Sequence, residues 1–338
     1  MTWSKFTKDN ISLFKKYKYI LQSNNILYES IKKERRNIIQ SIKSYKKINI
    51  TITKLNISKA HDMNNNIKTF ANGYFVDRIN VLNSIKDLDT MYMIQWNNNM
   101  IIIKTTTYDF SNIQKRLKLL IYMIEYIKNK ADNHNKPINI YMVLTKLNKL
   151  FPEDNYMDIK NANSGYTDFN KNIIFIWRHE EFEKVLFHEL IHLFNLDTRH
   201  HNYDKHIDID GEDMICEAIT DFWGIFYHTI YISLISLVQI KLLLELELGF
   251  IRNQAMTLNT LYELADWEKK PNKIIKQNTS AFSYYIIKYL LFEYSLQNKI
   301  SLHNDDPNKM IKKILNNGLT MKPYVKIDSS RMTLLQLL

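Results

Sequence analysis

The sequence predicts an α+β fold: a mixed β-sheet lobe carrying helices, followed by a mainly helical lobe. Two observations carry this. Runs with period-two alternation or β-branched and aromatic enrichment cluster between residues 48 and 177. From about residue 184 onward, apolar residues recur at helical intervals or in runs of helical length. With 338 residues and 45% hydrophobic content, the chain can bury one large core or two modest ones. The expected division is a basic, mostly helical segment over 1–60, an α/β lobe over 61–200 and a helical lobe over 201–338.

The first segment stands out by charge. Residues 1–60 hold 14 Lys or Arg against 3 acidic residues, and the rest balances at 32 of each, so the net +11 belongs wholly to this segment. Ile, Leu and Phe interleaved at helical spacing predict one or two amphipathic helices from about Ser12 to Ser44. Such a face suits an anionic partner, nucleic acid or an acidic surface, or else is a solvated face in a lysine-rich chain. The start, Met1 to Phe6, has no apolar run after its charges, and Cys216 has no partner for a disulfide. Both features point to an intracellular, soluble protein.

Strands come next. Ile48 to Thr53 alternates, and Met91 to Trp96 with Met100 to Thr105 flank an Asn-rich turn as a hairpin. A helix over about Ser111 to Lys130 follows, with Leu117, Leu120, Ile121 and Ile124 on one face. Ile138 to Leu144 returns to strand, and Asn172 to Trp177 forms the last one.

Then the chain reaches Phe187-His188-Glu189-Leu190-Ile191-His192-Leu193-Phe194. On a helix, His188 and His192 share a face and can reach one Zn²⁺. Glu189 beside them can take a proton from an attacking water and pass it to a departing amine. Chance alone puts this spacing in about one or two such chains per hundred, so a second signal is needed. It comes in Ile215-Cys216-Glu217-Ala218-Ile219-Thr220-Asp221, where Glu217 offers a third ligand and Asp221, one turn on, can accept the free ring N–H of a ligand histidine. His200, His201 and His206 in the loop between are the rival third ligands, or simply exposed loop residues. Cys216 reads as a small buried residue.

Phe222 to Ile240 contains 19 residues without a formal charge. A buried helix continuing from Glu217 is favoured over a membrane span, because a helix crossing a core is apolar on all sides. Further helices are expected over Ala281 to Gln297 and Pro307 to Leu315, the latter closed by Asn317-Gly318. Tyr284 and Tyr285 there, and His228 in the Phe222 to Ile240 stretch, are candidate hydrogen-bond donors to a developing oxyanion; the plainer reading of each is a packed core residue.

The HELIH run with a helical Glu-x-x-x-Asp resembles the gluzincin branch of the zincin metallopeptidases. Asn163 to Thr167, Ile173 to Arg178, Glu180-Glu181 and Lys184 to Leu186 also resemble predicted zinc proteases of large DNA viruses. Asn195 and Thr198, where a metzincin has Gly and His, exclude that branch. The resemblance implies a zincin-like fold, one catalytic zinc held by His188, His192 and Glu217, and Glu189 as general base. It implies a protein or peptide substrate, pairing with 172–177 as the edge strand beside the cleft, and places a viral version in the host cytoplasm or virion. The expectation is a zinc metallopeptidase, endopeptidase before exopeptidase. The alternative is a non-catalytic zinc-containing protein, structural or binding nucleic acid through residues 1–60.

Overall fold

The computed structural model describes residues 3–17, 20–22, 25–131, 136–197, 209–211, 216–262, 275–298 and 329–337. It is an α+β architecture with a mixed sheet. Two helices open the chain, α1 (Lys5–Tyr17) and α2 (Ile26–Tyr45), followed by strand β1 (Ile50–Lys54), helices α3 (Ile57–Phe70) and α4 (Arg78–Ser84), and the hairpin β2 (Thr90–Trp96) and β3 (Asn99–Thr105). Helix α5 (Thr107–Lys128), capped by the Thr106 hydroxyl on Asp109 N–H, crosses over to β4 (Asn139–Thr145). A short helix α6 (Ile159–Ala162) precedes β5 (Gly165–Asp168), β6 (Ile173–Arg178) and helix α7 (Phe182–Leu193). Beyond it lie β7 (Ile209–Gly211), α8 (Cys216–Ser236), α9 (Ile240–Leu261), β8 (Ile275–Gln277), a wide π-type turn over Ser283–Ile287 and α10 (Lys288–Ser295).

The six-stranded sheet runs β1-β2-β3-β4-β6-β5. β3, β4 and β6 are parallel neighbours, while β1, β2 and β5 run antiparallel to theirs. This corrects the expected cleft edge: all of 172–177 but Asn172 falls within β6, an interior strand between β4 and β5, and β5 is the edge. All six β6 residues are buried, as a strand covered on both faces requires. One sheet face packs on α3 and α4 through Ile102, Tyr141, Phe175 and Trp177 with Ile67, Phe70 and Val81. The other face meets α5, α7 and the helical half in one continuous apolar core.

The basic opening segment belongs to that core. Phe14 and Phe6 pack edge-on against Phe250 of α9, and Leu27, Ile31 and Ile38 of α2 are buried. Its cations Lys33, Arg36 and Lys43 stay on the exposed side. The 222–240 stretch is not one helix, because Leu237 adopts φ 60° and separates α8 from α9. Among the described residues no helix is long and apolar enough to cross a membrane. Residues 330–337 lie buried beside α1 and α7, with Leu337 bridging Trp3 and its carbonyl accepting from Arg116 Nη2 at 3.2 Å. The helix expected over 307–315, with Asn317-Gly318, lies outside the described residues.

Candidate metal centre

Helix α7 is buried along its whole length. That immobilises a short polar set inside it. His188 and His192 are one turn apart and turn toward α8, which approaches closely because residue 224 is glycine. A Cβ at Gly224 would stand 3.2 Å from His188 Cβ and 3.3 Å from its backbone N and Cα. α8 therefore delivers Glu217 and Asp221, a turn apart, to the two histidines.

Three donor atoms converge. His188 Nε2 lies 3.1 Å and His192 Nε2 3.2 Å from Glu217 Oε2, and the two Nε2 atoms are 3.2 Å apart. A tetrahedral zinc with bonds of about 2.0–2.1 Å separates its ligand atoms by about 3.3 Å. The side chains already stand at ligand spacing. Each ring is held from behind by a carboxylate: His188 Nδ1 is 3.0 Å from Asp221 Oδ1, and His192 Nδ1 is 2.7 Å from Asp197 Oδ2. With the ring N–H given to those carboxylates, both Nε2 lone pairs point into the triangle, as metal ligation requires. Among the described residues, His188, His192 and Glu217 form a buried group able to hold a metal ion.

The electrostatics show the same demand for positive charge. Burial pushes against ionisation of Glu217, yet His192 and the hydrogen bonds from both histidines hold its carboxyl well below the usual range. Burial likewise opposes charge on His192, but Glu217 and Asp197 outweigh it and raise that imidazole well above its usual value. His188 goes the other way, down to about 3, chiefly through burial with Glu217 opposing. His192 and Lys184 also lower His188, and the Asp221 behind it takes Lys184 Nζ on one oxygen and Lys288 Nζ on the other, the latter at 2.7 Å. A proton placed on His192 meets the need that a cation meets for all three donors.

Glu189, next to His188 on the helix, reaches β5. Burial lifts its carboxyl to about 7, with His192 and the Thr167 hydrogen bond pulling it back. Thr167 Oγ1 donates to Glu189 Oε2 at 2.8 Å. Tyr284 also belongs to the site. Its ring centroid is 6.0 Å from that of His188, and burial, then the nearby Glu217 and Glu189 carboxylates, raise its phenol well above the usual value.

The other two candidate donors are engaged elsewhere. Tyr285 gives its hydroxyl to the Ser330 carbonyl at 2.5 Å, and His228 lies against Thr333 and Phe187. Each is a buried core residue. Cys216 is half-buried. His200, His201 and His206 lie outside the described residues.

Sequence reasoning missed Asp197, Lys184, Lys288 and Thr167. Lys184 had a signal, since it lies one turn before His188 on the same helix. Asp197 is brought back to His192 by Asn195, which ends α7 in the left-handed region with φ 53°. No family model, curated protein or solved structure matches the chain.

Proposed function

We propose that the protein is a zinc metallopeptidase of the gluzincin kind, on a zincin-like fold. The observation that carries this is the triangle of two Nε2 atoms and a carboxylate oxygen 3.1–3.2 Å apart, with a buried carboxylate, Glu189, on the helix of the two histidines. His188, His192 and Glu217 would hold the metal. When bound, zinc polarises the scissile carbonyl and makes water a competent nucleophile near neutral pH.

The chain's own residues do the rest. Glu189 accepts the proton of the attacking water and returns it to the leaving amine, a task suited to a carboxyl whose burial raises its affinity for protons. Tyr284, with its ring 6.0 Å from that of His188, stands beside the ligands, where its phenol can orient the substrate carbonyl. β5 ends the sheet, and among the described residues no strand pairs with its outer side. An extended peptide can add there by main-chain hydrogen bonds, which favours a protein or peptide over a small ester or amide.

Metal analysis of the purified protein is the first test. The wild type is expected to hold about one zinc per chain and Glu217→Ala to lose it. Glu189→Gln is expected to keep the zinc while cleavage of a peptide library falls at least ~100-fold. Full activity in Glu189→Gln would sink the mechanism.

A further inference from the structure

We infer that Gly165 and Thr167 of β5 are positioning residues for Glu189, so that the strand offered to a peptide also sets the carboxylate that acts on it. The inference rests on the peptidase reading. Along β5 side chains alternate, and Tyr166 turns to the far face of the sheet, its ring 5.8 Å from Phe175 and 6.5 Å from Trp177. Gly165 and Thr167 therefore share the face toward α7. There they meet Glu189 from two sides.

Thr167 supplies a donor. Its hydroxyl lies 2.8 Å from Glu189 Oε2 and 3.2 Å from the Glu189 carbonyl oxygen. A threonine in a strand has few rotamers, so this donor is stiff. Gly165 supplies room: a Cβ there would fall 2.9 Å from Glu189 Oε1, 3.2 Å from its Cγ and 2.7 Å from Val185 Cγ1. The carboxylate is thus gripped at one oxygen and given a slot at the other. A glutamate side chain has three rotatable bonds, and a displacement near 1 Å in a reacting group costs up to ~100-fold in rate. Because both contacts come from the edge strand, a peptide that pairs with the outer side of β5 stiffens the support of the general base. Substrate docking and base alignment are then one event.

Thr167→Val keeps the shape and removes the donor. It is expected to lower kcat by ~10–100-fold, with KM changed less than about twofold and zinc content unchanged; Thr167→Ser is expected to recover most of that loss. A structural role alone would not separate kcat from KM or be rescued by serine. A second measurement needs no turnover: thermal unfolding midpoints of Thr167→Val, Glu189→Ala and the double variant. Shifts that fail to add show the two side chains coupled; additive shifts overturn the contact. Wild-type kcat in Thr167→Val, or equal losses in the Ser and Val variants, overturns the positioning role while leaving the peptidase standing. A zinc-loaded wild type that cleaves nothing in the library overturns the peptidase reading, and the role of Thr167 in catalysis falls with it.

Discussion

Asp221 is surrounded by one imidazole and two ammonium groups in a site closed to solvent. Burial, and then the neighbouring Lys288, holds Lys184 well below the usual lysine range, and burial brings Lys288 down to about 7. One positive charge suffices for one carboxylate, so the pair can balance Asp221 without both lysines being ionised. Removing Lys288 takes the donor from one Asp221 oxygen, so the carboxylate behind His188 is less firmly held. Lys288→Met is therefore expected to weaken zinc binding by ~10–100-fold, measured by chelator competition. Asp197→Asn is expected to act similarly through the other histidine. At this scale the sequence was legible where one helix sufficed, because His188, Glu189, His192 and the Glu217/Asp221 pair follow from helical spacing. Thr167, Asp197 and Lys288 come from separate segments, and only the fold brings them to these histidines.

The pairing of α7 with α8 is the element on which the metal centre depends. Gly224 sets how near they come. Gly224→Val is expected to force the helices apart, lowering stability by ~1–3 kcal/mol and zinc affinity with it, which thermal melts with and without added zinc would read. The edge strand teaches a different lesson. In 173–178 the run Ile-Ile-Phe-Ile-Trp is apolar without alternation, the mark of a strand covered on both faces, and β6 is interior. Gly165-Tyr166-Thr167-Asp168 is short and mixed in polarity, as edges tend to be, but four residues give too little period to identify a strand. Helices α3 and α4 were equally hidden: Met63-Asn64-Asn65-Asn66 is a poor helix former, held by its packing under the sheet.

One apolar core joins the sheet to the helical half, and the charge-defined opening segment is part of it rather than an appendage. Composition located the cations of residues 1–60 but could not show that the other faces of α1 and α2 are packed. Residues 329–337 tie the whole together. The Glu181 carboxylate, at φ 60° just before α7, accepts from the N–H groups of Met332 and Thr333 and pairs with Lys149 at 3.0 Å; Glu247 accepts from the N–H groups of Leu334 and Leu335. Burial alone would raise the Glu181 carboxyl, but Lys149, Arg331 and Lys184 hold it down at about 2 against an ordinary 4.5. Because folding lowers this value, the stabilisation is complete above about pH 4.5 and is lost as pH falls through about 2. It amounts to about 3 kcal/mol. Denaturant midpoints should decline across that window, and Glu181→Gln should flatten the decline. The same tie orders events during synthesis. A ribosome emits α7, with both histidines and Glu189, well over a hundred residues before the amides that Glu181 and Glu247 await. Until those arrive, two carboxylates in the interior lack their donors, so the finished pocket can form only after nearly the whole described chain has emerged.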